Sequence, residues 1–151
     1  MPEGEPKLFR ADFTSSFNFT RSTGPVIGRF LAELKNRRIV GIKGSDGKVI
    51  VPPLEYDPGT FKALSEFVEV QQTGVVRTWC WVNQPREKHL IKKPFAWALI
   101  QLDGSDTPML HMVNAEHESA MSTGMRVKAR WSDETKGSIT DIKYFEPVEE
   151  G

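Results

Sequence analysis

Two turn tetrapeptides separated by a proline pair limit this chain's possible folds more than any other feature. The stretch from Arg38 to Thr60 reads RIVGIKGSDGKVIVPPLEYDPGT. In Gly44-Ser45-Asp46-Gly47 the glycines permit positive φ and the Ser and Asp side chains bond their own backbone. The runs Ile39 to Ile42 and Val49 to Val51 are therefore expected to form a hairpin. Pro52-Pro53 stops the second run by removing backbone donors. Asp57-Pro58-Gly59-Thr60 then imposes a second turn.

Downstream the character stays β. Phe61 to Ser65 is long enough for one helical turn, and short apolar runs follow. Phe67 to Gln71 and Val75 to Val82 read as one long curved strand, bulged or bent at Thr73-Gly74. Phe95 to Leu102 and Pro108 to Val113 flank the turn Asp103-Gly104-Ser105-Asp106, and Met125 to Trp131 and Ser138 to Phe145 flank Ser132 to Gly137. Ala115 to Met121 has the length of a short helix. Five strands with a helix between the third and fourth follow the order of an OB-fold barrel.

Upstream of the turns, Ser22 or Thr23 can cap a helix, Pro25 suits its first turn, and Val26, Ile27, Phe30, Leu31 and Leu34 recur at helical spacing. One amphipathic helix over about 24–36 follows, with Arg29, Glu33 and Lys35 on its wet side. Such a face usually seals its own core. Met1 to Lys7 is rich in Glu, Pro and Gly and reads as mobile. Phe9, Phe13, Phe17 and Phe19 follow in an otherwise polar arm. Each ring gains about 1.5–3 kcal/mol when covered, so the arm either reaches another surface or wraps its own domain.

These residues together resemble the acyl-CoA-associated zinc-ribbon and OB-fold family, the domain-of-unknown-function family numbered thirty-five. The resemblance runs from about Phe17 to Pro147. It is carried by Arg38-Ile39-Val40, the Gly47 to Pro53 block, Thr73-Gly74, Pro94-Phe95-Ala96-Trp97-Ala98 and Gly124-Met125-Arg126-Val127. The family's ribbon reads Cys-x-x-Cys-Gly, then Phe-Pro-Pro, then Cys-Pro-x-Cys. Aligning Val51-Pro52-Pro53 and Gly47 puts Lys43, Asp46, Asp57 and Thr60 at the four cysteine positions. Zinc wants thiolate or imidazole ligands, so no metal is expected. Polar contacts, such as Lys43 with Asp46 or Asp57, would have to hold the turns together.

The resemblance implies a fold and a role. The fold is mainly β: a five-stranded OB-fold barrel over 66–147, preceded by an arm and helix over 1–37 and a metal-free ribbon-like hairpin over 38–65, with a tail over 148–151. A family branch similar in its missing cysteines partners a thiolase-like, lipid-transfer-protein-type aldolase that cleaves steroid CoA thioesters, and is linked to MaoC-like hydratases. The implied role is a non-catalytic accessory subunit without a cofactor of its own, in a hetero-oligomer around a partner dimer, the CoA thioester being bound mainly by the partner. In the family a helix at this position is available to the partner enzyme. That makes Phe17, Phe19, Val26, Phe30, Leu31 and Leu34 the candidate interface.

Other chemistry is weakly signalled. His89, His111 and His117 match no ligand spacing, and no nucleophile and base pair or phosphate loop appears. Cys80, the sole cysteine, lies between Trp79 and Trp81 and reads as a buried thiol, consistent with a cytoplasmic setting. No apolar run approaches the length of a membrane span, and none forms a signal peptide. An OB barrel raises the alternative of a module binding single-stranded nucleic acid or a CoA ligand. Twenty basic and twenty acidic residues cancel, which removes the bulk positive field nucleic acid would favour. Trp79, Trp81, Trp97 and Trp131 read as core. Arg126, Lys128 and Arg130 share one strand face and form a small positive patch for acidic residues or CoA phosphates.

Overall fold

The computed structural model describes residues 7–149. Residues 1–6, most of the segment expected to be mobile, and the last two residues of the expected tail lie outside it. Helix α1 spans Gly24–Lys35, close to expectation, with a proline in its first turn. It ends where Arg37 takes φ 57° and the Arg38 amide bonds back to the Glu33 carbonyl at 3.0 Å, closing the last turn. Val26, Phe30 and Leu34, four apart, bury one face.

That face lies on a three-stranded antiparallel sheet. β1 (Ile39–Lys43) pairs Ile42 with Ile50 of β2 (Val49–Ile50), as the Gly44 to Gly47 turn predicts, and pairs Ile39 with Val70 of β3 (Phe67–Val70) on its other side. Arg29 of α1 covers the Phe67 ring at 4.4 Å. The three strands are the part of the chain where a ribbon-like hairpin was expected, with β3 added from downstream.

The remaining strands close a barrel in the order β4 (Thr73–Val82), β5 (Phe95–Leu102), β6 (Met109–Val113), β8 (Ile142–Pro147) and β7 (Arg126–Trp131). All neighbours run antiparallel except β6 and β8, which meet in parallel at Val113 and Phe145. This is an OB-fold barrel, as the strand count and the resemblance predicted. One continuous apolar core joins Phe30 and Leu34 of the helix to Val40 and Val51, and on to Ile100, Val127 and Phe145 inside the barrel.

Several local expectations are corrected. Thr73-Gly74 lies inside β4, because Gly74 lacks the Cβ that would strike the Gln101 backbone. The chain instead breaks at Gln71-Gln72, and the β4 bulge falls between Val76 and Thr78. Phe61 to Ser65 is not helical, since Tyr56 pairs with Ala63 and draws the segment into a tight hairpin. Ala115 to Met121 holds only a single 3-10 turn at Glu118–Ala120. The last strand starts at Ile142, because Ser138 and Asp141 form a capping box that holds the preceding residues in a turn. Cys80 is exposed, because it alternates with Trp79 and Trp81, which turn to the core, and so lies on the outer face of β4.

Candidate docking surface

Residues 7–23 form neither helix nor strand, and their large apolar side chains are open to solvent. Leu8, Phe9, Phe13, Phe17 and Phe19 are each at least 74% exposed. Phe17 and Phe19 touch only each other among the aromatic rings, with centroids 6.0 Å apart. Of the two sequence readings, the arm does not wrap its own domain. Three cations, Lys7, Arg10 and Arg21, accompany it against one carboxylate, Asp12.

The helix residues expected at an interface face inward. Val26, Phe30 and Leu34 are buried and Leu31 packs partly against the same core, which corrects their place in the candidate interface. The physical reason is that β1 is buried along Ile39 to Ile42 and needs a cover, which the apolar helix face provides.

The four residues at ribbon-cysteine positions do not converge as a ligand set. Lys43 pairs with Glu66 at 3.3 Å, not with Asp46 or Asp57, and Asp46 pairs loosely with Lys48. Asp57, by contrast, is 6% exposed and sits between the two turns. Its Oδ2 accepts the Ser45 amide and its Oδ1 accepts the amides of Gly59 and Thr60, all at 2.8 Å. The Ser45 and Thr60 hydroxyls meet at 3.1 Å beside it. The Ser45 amide bond foremost, then those of Thr60 and Gly59, hold the Asp57 carboxyl far below the usual range against the opposing cost of burial.

These residues do not fit a zinc ion. Three N–H dipoles aim their positive ends at the one carboxylate, and the lysine points elsewhere. The hairpin that Asp57 anchors displays Leu54, Tyr56 and Phe61, exposed by 43%, 60% and 80%. Phe61 adopts φ 59°, a conformation costly for a bulky residue. Sequence reasoning placed this ring in a helical turn and missed it as surface. The only signal was its position directly after the Asp57 to Thr60 turn.

The basic stripe is largely neutralised. Arg126 forms a two-pronged pair with Asp103, Lys128 lies 3.6 Å from Glu146, and only Arg130 has no ion pair among the described residues. Trp79, Trp81 and Trp131 pack on the main core and Trp97 on a second cluster with Phe95, Met112 and Ile91, so the four tryptophans form no free stacking row on the barrel. The three histidines join no cluster that could hold a metal among the described residues, although His89 and His111 line one cleft. His111 is buried edge-on to Phe145, and His89 accepts the Arg86 amide and packs on Phe95 and Trp97. His117 is exposed beside the 3-10 turn. His111 also lines an apolar cleft of about 330 Å³ with Trp97 and Met112, rimmed by Leu90, Leu110 and Ile139. No helix among the described residues is long and apolar enough to cross a membrane.

Residues 67–132 match the sequence model of a family described as ChsH2, C-terminal OB-fold domain. Among solved structures, the chain is similar to one named Ltp2-ChsH2(DUF35) aldolase. The TM-score is 0.59 at 19% identity, covering 79% of this chain and 91% of that one. It is also similar to a protein of unknown function from the DUF35 family of Sulfolobus solfataricus. There the TM-score is 0.57 at 24% identity, covering 71% of this chain and 78% of that one. No curated protein matches it by sequence.

Proposed function

From the match of residues 67–132 to the ChsH2 C-terminal OB-fold model, which agrees with the resemblance to the family numbered thirty-five, we propose that this chain is a non-catalytic accessory subunit of a thiolase-like aldolase. The observation that carries this reading is the arm, whose five apolar side chains have no cover on their own domain. Leaving such a row in water forgoes about 1.5–3 kcal/mol for each side chain, a cost that a partner's groove removes. The excess of cations along the arm suits a groove rimmed by carboxylates.

The partner performs the chemistry and binds the CoA thioester, a steroid side-chain fragment by the family resemblance, while this chain orders the partner's loops and brings no cofactor. A MaoC-like hydratase is a further member of the assembly on the same grounds. Arg130, the unpaired cation of the stripe, is the residue left free for a CoA phosphate. Nucleic-acid binding is disfavoured by the neutral charge and the paired stripe.

The test is co-expression with a thiolase-like aldolase, followed by size exclusion with light scattering. A stable complex is expected, and removal of residues 1–21 should abolish it while leaving the melting temperature of the chain alone unchanged. Co-elution that survives the deletion would remove the arm as the basis of this reading.

A further inference from the structure

The turns that would be metal knuckles in the resembled family are joined here by one side chain, and the joint holds out an aromatic surface. We propose that Asp57 acts as a metal-free latch that fixes the hairpin from Leu54 to Ala63, so that Tyr56 and Phe61 form a second contact with the thiolase-like partner. This rests on the accessory-subunit reading above and adds to it a site and the residue that positions it.

Three observations carry the inference. First, Asp57 ties both turns: it takes the Ser45 amide from one and the Gly59 and Thr60 amides from the other, while the hydroxyls of Ser45 and Thr60 meet across the gap. A thiolate-bound metal joins two knuckles through one central charge, and the Asp57 carboxylate supplies such a charge with hydrogen bonds in place of coordinate bonds. Its own backbone also closes the hairpin, with Asp57 N on Lys62 O and Phe61 N on Asp57 O, both at 2.8 Å.

Second, the latch holds a strained ring. A residue such as Phe61 persists in the left-handed region only where its surroundings over-determine it, and here the two bonds to the Asp57 backbone do so. The strain serves no internal packing, since the ring is 80% exposed.

Third, this surface lies beside the root of the arm. A Cβ on Gly24, the first residue of α1, would lie 2.5 Å from the Glu55 carboxylate, so the arm leaves the fold next to Leu54 and Tyr56. The root of the arm and the base of the hairpin are therefore neighbours, and one partner that seats the arm comes within reach of the hairpin as well.

The experiment measures binding of the full chain to the partner by calorimetry, with hydrogen exchange on the free chain. Phe61→Ala and Phe61→Gly are both expected to raise Kd about tenfold or more without lowering the melting temperature. Glycine is the sharper variant, because it relieves the φ strain and leaves the hairpin at least as stable. Asp57→Asn, which turns an amide donor toward backbone donors, is expected to speed exchange at Ser45, Gly59 and Thr60 and to weaken binding to a similar degree. Unchanged Kd in both Phe61 variants, with binding still lost on arm deletion, would overturn the second contact and leave the accessory reading standing. No binding by the unaltered chain would sink both. Unchanged exchange in Asp57→Asn, or a purified chain that holds zinc and loses its fold on chelation, would overturn the latch. So would self-association of the free chain that Phe61→Ala abolishes, because the surface would then serve a second copy.

Discussion

The Arg126 guanidinium and the Asp103 carboxylate meet side by side, Nη1 on Oδ1 at 2.8 Å and Nη2 on Oδ2, with the Thr73 hydroxyl donating to the same Oδ2 at 2.7 Å. Asp103 stands in the turn between β5 and β6, Thr73 opens β4 and Arg126 opens β7, so one carboxylate ties three elements where the barrel closes. The Arg126 bond foremost, then that of Thr73, brings the Asp103 carboxyl down to about 2. Both partners remain more than a third exposed, so solvent screens much of the gain. Asp103→Asn is expected to lower the melting temperature by only a few degrees, with the effect shrinking in high salt. A loss independent of salt would mean that the turn, rather than the charge, carries it.

Acid should expose the carboxylates together. Asp57 and Asp103 both titrate below their unfolded value in the native state. Asp141 does too: burial pushes it up, but the amides of Lys136, Ser138 and Gly137 prevail. A lowered native pKa gives stability that is complete above the unfolded value, about 4, and is lost as pH falls through the native one. Thermal melts followed by circular dichroism are expected to fall away below about pH 4, and Asp57→Asn should flatten that limb. An acid limb of unchanged slope in the variant would remove Asp57 from the account.

His111 sets a different window. Burial is the main cause that lowers its pKa, and the Ile139, Met112 and Ile142 backbone only partly opposes it. A histidine lowered in the native state stays neutral there while its unfolded form gains a proton, so stability is complete above about pH 6.5 and declines below it. His111→Gln, neutral throughout, is expected to remove that decline even if it lowers the plateau. Guanidinium melts at pH 7.5 and 5.5 measure the difference, and an equal pH dependence in both proteins would contradict it.

The helix and the arm make opposite demands on mutation. Leu34→Ala opens a cavity at a fully buried site and is expected to cost about 2–5 kcal/mol. Phe13→Ala removes a ring 91% exposed and should leave the melting temperature unchanged. Calorimetry on the two variants separates core from docking surface. A destabilised Phe13→Ala would show that the arm packs on its own domain in solution.

What the sequence disclosed follows the range of the interactions involved. Hairpin turns, the helix and the barrel strands are local, and Gly44 to Gly47 or Val26 to Leu34 display them directly. Whether Phe30 and Leu34 face inward depends on β1, a separate element that must be covered, and the helix pattern alone contains no such information. Lys43 had two acidic candidates, Asp46 and Asp57, and its actual partner Glu66 became visible only once the chain crossed from β1 toward β3. The Asp57 site was flagged as a missing cysteine. Its actual role needed the distance between two turns, which spacing along the chain does not give. Phe61 was misread because a positive φ in a bulky residue contradicts local propensity, and such conflicts gather where structure serves binding.

Gly74 offers the sharpest check on the barrel itself. It pairs with Leu102 of β5 on one side and Val127 of β7 on the other, at the seam where the first strand meets the last in the sheet. A Cβ there would lie 2.4 Å from the Gln101 carbonyl oxygen and 2.9 Å from the Leu102 Cα. Those atoms are backbone and cannot swing aside, so alanine must part β4 from β5, at a cost of about 1–3 kcal/mol or more. Gly47 is the control: it takes φ 82°, but a Cβ there meets nothing within 4 Å. Gly47→Ala therefore costs only backbone strain, about 1–2 kcal/mol. Urea melts are expected to rank Gly74→Ala as the more damaging. They should also show that it alone speeds hydrogen exchange at the β4 and β5 amides. Equal loss in both variants, with that protection intact, would mean that the two strands do not approach so closely at the seam.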